Sequence, residues 1–263
     1  MDLDLDGDTA VVMASTSGLG YGVARAFVRE GANVVVNGRD ETKLDAARTE
    51  LESMSTGGGV AAVAADLTDP AAATELVTAA VDSFGGLDHV VTNSGGIPSG
   101  PFTSLSDAEW QAAFDGVVLS VVRLLRAAIP HLEDGGGTIV SIGSRSVKEP
   151  HESLVLSSSV RPCVAGLIKS LSRELAPDVR ANVVLPGPHE TAGIRSHVED
   201  GVERGSYASY DEGLASLVDD VPLERMGDPD EFGSVVAFLC SERANYVTGE
   251  SLLIEGGSSR SVL

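Results

Sequence analysis

The stretch MASTSGLGYG, Met13 to Gly22, follows the apolar run TAVVMA and opens directly into VARAFVREG, whose apolar residues recur at helical spacing. A glycine-rich turn between a strand and a helix lets the backbone come close to a phosphate, and the helix N-terminus then faces that phosphate with unpaired N–H groups. The spacing is not G-x-G-x-x-G, so the turn is only as informative as its surroundings.

Those surroundings repeat the same rhythm. The runs NVVVNG, GVAAVAAD, LDHVVTNS, GTIVSIGS, VRANVVLP and ESLLIEGG are short, rich in Val, Ile and Ala, and separated by stretches of helical period long enough for crossover helices. This predicts an α/β chain: a single Rossmann-type, doubly wound parallel sheet with helices on both faces. The glycines of STGGG and EDGGGT are read as helix-to-strand returns. No repeat or linker divides the 263 residues, so residues 1–263 are read as one domain.

Composition narrows the partners. Asp and Glu number 39 against 18 Lys and Arg, giving a formal net charge of −21. Only Lys43, Lys148 and Lys169 are lysines. Nucleic acid is excluded as a partner on this charge. The acids are scattered along the whole chain, which reads as a surface adapted to high salt. An acidic start and the lack of a long apolar run give the expectation of a cytoplasmic protein that does not engage a membrane. Cys163 and Cys240 have no metal-ligand spacing, and both are expected to be buried free thiols; no metal site is expected.

The turn at Met13–Gly22 resembles the T-G-x-x-x-G-x-G turn of short-chain dehydrogenases, with Ala14 in place of the first glycine and Gly18 and Gly20 matching. AADL, TNSGG, LPGPHET and the C-terminal PLERMGDPDEFGSVVAFLCSERANYVTGESLLIEGG follow in that family's order, so the resemblance covers essentially the whole chain. It implies that Ser15, Ser17, Gly18, Leu19 and Gly20 lie along the cofactor phosphates and that Asp66 and Leu67 border the adenine. Asn93 and Gly95 would flank the adenosine ribose side of the cleft, with Pro186, Gly187 and Thr191 near the nicotinamide. Local readings stand beside these: Asp66 as the cap of the helix starting near TDPAAATEL, Asn93 as a partner for strand-end backbone groups, and Pro186-Gly187 as a turn. The resemblance also implies a small-molecule substrate, a substrate lid at 192–222, and a homodimer or homotetramer packed through the helices near 106–131 and 158–176.

Cofactor choice rests on VVVNGRDETKL. Gly38 stands where an acid for the ribose 2′-OH would sit, and Arg39 follows, which favours NADP, with NAD possible through Asp40. The alternative is that Arg39 simply pairs with Asp40 or Glu41.

The catalytic set departs from the resembled family. Its Asn, Ser, Tyr and Lys fall at Val117, Ser144, Ser157 and Arg161, and no tyrosine lies between residues 22 and 206. A serine hydroxyl is a poor acid beside a tyrosine, and an arginine stays protonated. Ser157 and Arg161, four apart, are expected on one helix face, although Pro162 implies that the helix begins only about there. LSSSVRP is similar to a divergent branch that lacks the Tyr-x-x-x-Lys motif. Two readings follow: an NADP-dependent oxidoreductase acting on a carbonyl or hydroxyl through Ser144 and Arg161, or a catalytically silent nicotinamide-binding sensor or assembly protein. For the proton donor, His151 is the first candidate, with His189, Tyr207, Tyr210 and Lys148 behind it. The charge balance carries its own test: the unfolding midpoint should rise from low to molar salt, and an unchanged midpoint would overturn the high-salt reading.

Overall fold

In a computed structural model, residues 2–150, 152 and 154–261 are described, with the backbone alone at residue 197. Seven strands form one parallel sheet in the order β3-β2-β1-β4-β5-β6-β7. They are β1 (Thr9–Val12), β2 (Asn33–Gly38), β3 (Val60–Ala64), β4 (His89–Thr92), β5 (Gly137–Ile142), β6 (Val179–Pro186) and β7 (Ser251–Ile254). Each lies in one of the seven apolar runs. The doubly wound sheet expected from the sequence is therefore the one observed.

The inner strands are buried on both faces while the edge strands β3 and β7 are only partly covered, and the side chains alternate between two cores with the period of two that a pleated strand imposes. Val11, Val35, Val90 and Ile139 face one side. There they pack on α3 (Pro70–Phe84), α5 (Ser120–Gly135) and α6 (Val155–Glu174), through Leu76, Leu124, Leu156 and Ile168. Their neighbours Ala10, Val12, Val34 and Val140 face the other side, against α1 (Gly18–Arg29), α2 (Glu41–Met54) and α9 (Pro229–Cys240).

Helix starts are set by short polar caps. Asp69 caps α3 by accepting from the Ala71 N–H, with Pro70 as its first residue, and Asp228 and Glu231 close a capping box on α9. The stretch of 192–222 forms a helical hairpin, α7 (Ala192–Glu203) and α8 (Tyr210–Val218). The ring of Tyr207 packs against Gly201 and Gly213, so it holds the two helices together. Between α4 (Asp107–Phe114) and α5 the chain makes a π-helical turn, Asp115–Leu119, centred on Val117. Among the described residues no helix is long and apolar enough to cross a membrane.

Two expectations are corrected. Helix α6 begins at Val155, seven residues before Pro162, which sits inside it. Leu156, Val160, Val164 and Ile168 are spaced by four and buried as one stripe, and that burial outweighs the hydrogen bond that proline removes. Cys163 lies beside the stripe on the outward face and is exposed; only Cys240 is buried.

Helices α1 and α9 cross at contact distance because glycine faces backbone. A Cβ on Gly22 would strike the Pro229 carbonyl, and one on Gly233 would strike the Gly22 carbonyl. Gly22→Ala and Gly233→Ala should each cost roughly 1–3 kcal/mol of stability, read from denaturant midpoints. Wild-type midpoints would show that the helices separate freely.

Candidate functional site

A cleft of about 750 Å³ runs along the carboxyl ends of the strands, where β1 and β4 are neighbours and the chain winds away in both directions. The glycine turn forms one wall. Gly18 takes a left-handed backbone (φ +59°), and a Cβ there would lie 3.3 Å from the Thr191 methyl. Gly20 has no room for a side chain, since a Cβ would meet the Ala14 carbonyl and, at 2.9 Å, Asn93 Nδ2. Asn93 Nδ2 donates to that same carbonyl at 3.3 Å, tying the end of β4 to the turn.

Ser17, Gly18 and Leu19 line the cleft as expected; Gly20 lies behind them against the Ala14 carbonyl, and Ser15 does not line the cleft either. Its hydroxyl is fully buried, donating to the Val12 carbonyl at 2.7 Å and accepting from the Asn37 N–H at 2.9 Å. Thr16 faces the cleft in its stead. Across from the turn, Pro186, Gly187 and Thr191 line the cleft, and Thr191 caps α7 by accepting from the Ile194 N–H.

At the far end, Arg39 is 80% exposed and its guanidinium stands 4.0 Å from Asp66, not against Asp40 or Glu41. Asp40 is committed to capping α2 through the Lys43 N–H. Position 38 has no space for a carboxylate, because a Cβ there would run into the Thr16 methyl. Asp66 accepts from the Thr68 N–H and hydroxyl, which hold its carboxyl below the ordinary range; it closes this turn, while the cap of α3 is Asp69. Leu67, Asn93 and Gly95 line the same stretch, and the space beside Gly95 is open.

At the other end the structure brings Ser144, Ser157 and Arg161 together. Arg161 Nε donates to Ser157 Oγ at 3.1 Å and its Nη1 to the Gly143 carbonyl at 3.3 Å. Among the described residues Arg161 forms no ion pair, and burial lowers it to about 10. It is still a cation at neutral pH, desolvated and uncompensated, which is costly unless a ligand or a reaction uses the charge. Val117 lines the same end, so the π-helical turn, a feature frequent at functional sites, presents a methyl surface where a carboxamide would otherwise stand.

Of the proton-donor candidates, His151 lies outside the described residues. His189 borders the cleft, but its ring is buried edge-on to Phe232 with Nδ1 at 3.0 Å from the Gly187 carbonyl, and burial lowers its pKa, favouring the neutral form. Tyr207 is occupied between α7 and α8, and neither Tyr210 nor Lys148 reaches the cleft wall. No cluster able to hold a metal occurs among the described residues.

Residues 13–259 match the family described as enoyl-(acyl carrier protein) reductase. Dehydrogenase/reductase SDR family member 4 of Bos taurus is 33% identical over 261 residues, covering 97% of this chain and 88% of the relative. The chain belongs to the short-chain dehydrogenase/reductase family. Its fold matches L-sorbose reductase from Gluconobacter frateurii, solved with NADPH and L-sorbose, at a TM-score of 0.94 and 28% identity over the whole of both chains. A short-chain oxidoreductase from Pseudomonas aeruginosa PAO1, solved with NADPH and described as containing an atypical catalytic centre, matches at 0.89 and 28% identity, covering 98% of this chain and 99% of that one.

Sequence reasoning missed two contributors among the short-chain dehydrogenase/reductase positions. Thr16 was signalled only by its place beside Ser15 in the turn. Ser146, whose hydroxyl lies between those of Ser144 and Ser157, had no signal beyond being a serine two residues from Ser144. One departure is measurable: Ala14 holds φ +48°, a left-handed conformation that an alanine resists. Ala14→Gly should raise stability by about 1 kcal/mol, and a loss of stability would show that the methyl makes a contact worth more than the strain.

Proposed function

We propose that this short-chain dehydrogenase/reductase is an NADP-dependent oxidoreductase of a divergent branch, acting on a carbonyl, hydroxyl or related small substrate through Ser144 and Arg161 in place of the tyrosine and lysine usual in the family. The observation that carries the proposal is the uncompensated guanidinium of Arg161, hydrogen-bonded to Ser157 at the end of a glycine-walled cleft. The cleft fits the cofactor, because Gly18 keeps the wall at the N-terminus of α1 free of a side chain, in the place a phosphate would take. NADPH in two structural relatives supports the same choice.

Ser17, Gly18 and Leu19 would hold the pyrophosphate at the N-terminus of α1, and Arg39, already mostly exposed, the 2′-phosphate. Asp66 and Leu67 would border the adenine, Asn93 and Gly95 its ribose, and Pro186, Gly187 and Thr191 the nicotinamide. NAD would bind the same cleft without the Arg39 contact. When bound, the cofactor supplies a hydride.

The chain's own part is electrostatic. Ser144 donates a hydrogen bond to the substrate oxygen, and Arg161 orients the nicotinamide ribose and stabilises negative charge developing beside it, in a desolvated setting where such contacts are strong. Arg161 keeps its proton and does not act as the acid. That role is assigned to His151. The hairpin α7–α8 serves as substrate lid, and α4, α5 and α6 as the interface of a homodimer or homotetramer.

A second reading, a silent nicotinamide-binding protein, is favoured by Ser157 and Val117 where acid–base groups are usual. Single-turnover oxidation of bound NADPH across aldehydes, ketones and activated alkenes decides between them. Ser144→Ala should slow hydride transfer about 100-fold. Arg39→Ala should weaken NADPH binding roughly tenfold or more and leave NADH unchanged. NADPH binding with no hydride transfer to any acceptor gives the silent reading, and equal affinity for the two cofactors removes the choice of NADP.

A further inference from the structure

Three serine hydroxyls and one guanidinium form a continuous chain in this cleft. Ser146 Oγ donates to Ser144 Oγ at 3.0 Å, Ser146 Oγ and Ser157 Oγ lie 3.0 Å apart, and Arg161 Nε donates to Ser157 Oγ at 3.1 Å. The Ser146 N–H also donates to Ser144 Oγ, at 3.2 Å. Ser144, Ser157 and Arg161 line the cleft, whereas Ser146 is 1% exposed and lies behind them.

The direction of this chain follows from what each group is able to do. A guanidinium only donates, so Ser157 must accept from it. Ser146 Oγ lies within reach of the Ser157 proton, and because Ser146 gives its own single proton to Ser144, Ser157 is the donor of that pair. Ser146, having accepted, sends its own proton to Ser144. Ser144 Oγ then receives two hydrogen bonds, from the Ser146 N–H and the Ser146 hydroxyl, which fill both of its lone pairs. Its single proton is left for the cleft. Hydrogen bonds in series polarise one another, and this series starts at a positive charge, so the Ser144 hydroxyl is a stronger donor than an isolated serine.

We propose that Ser146 is a positioning residue that fixes Ser144 as a pure hydrogen-bond donor, and that the site consequently selects substrates presenting an acceptor oxygen, a carbonyl or a developing oxyanion, over those presenting a hydroxyl proton. The proposal rests on the hydride-transfer reading for its catalytic consequence, but the hydrogen-bond direction stands on the geometry alone. The turn that carries Ser146 is held in place independently, since Arg145 Nη1 donates to Ser258 Oγ at 2.7 Å and to Asp220 Oδ2 at 3.3 Å. Ser146→Ala removes the donor to Ser144 and the acceptor for Ser157 together. Ser146→Thr keeps the hydroxyl.

Neutron diffraction from deuterium-exchanged crystals reads the direction without turnover. Deuterium on Ser144 Oγ directed into the cleft, with that of Ser146 directed at Ser144, is the expected map, and deuterium on Ser144 directed at Ser146 overturns the proposal. In single-turnover assays Ser146→Ala should transfer hydride roughly tenfold more slowly, a smaller loss than for Ser144→Ala, with NADPH affinity unchanged and the rate recovered in Ser146→Thr. A Ser146→Ala protein that transfers hydride at the wild-type rate overturns the positioning role. If the wild type itself transfers none, the reading under Proposed function falls, and the neutron map still decides the hydrogen-bond direction.

Discussion

Everything in this molecule that bears on function depends on one topological constraint: β1 lies between β2 and β4, and the crossovers on its two sides cover opposite faces of the sheet. Seven parallel strands necessarily deliver all their carboxyl ends to one edge, and at the reversal no helix closes that edge. The glycine turn of 13–22 fits into this opening because its neighbours are backbone. The Ala14 carbonyl bears on Gly20, and the crossing of α1 and α9 leaves no space at Gly22 or Gly233.

Within that opening, electrostatics differ in kind from those of the surface. The outside carries an excess of carboxylates, most of them solvated, while the Arg161 end of the cleft carries a cation that, among the described residues, pairs with no carboxylate. Keeping Arg161 there costs stability, which the Ser157 hydroxyl and the Gly143 carbonyl offset only in part. A positive charge fixed before the reaction begins needs no reorganisation as negative charge develops, so the group that weakens the fold is the one suited to stabilise an oxyanion. The π-helical turn keeps Val117 at this end although the side chain is apolar.

Much was legible in order and spacing. Seven apolar runs, the glycine turn, the empty place of an acid at Gly38 and the absence of any tyrosine between residues 22 and 206 are local or countable facts, and a period of two or of 3.6 follows from backbone geometry whatever surrounds it. They determined the doubly wound sheet, the position of the cleft and the departure from the usual acid.

Which atoms face that cleft was decided only by the tertiary structure. Ser15 and Thr16 are adjacent polar residues of the same turn, yet one is sealed between Val12 and Asn37 and the other lines the wall. Cys163 is exposed because the stripe of Leu156, Val160, Val164 and Ile168 takes the buried face of α6, and that same burial carries the helix through Pro162. Ser146 has no distinction in the sequence. The role proposed for it arises where β5 ends beside α6, because the direction of a hydrogen bond is set by what every partner in the chain is able to donate, and those partners meet only in three dimensions.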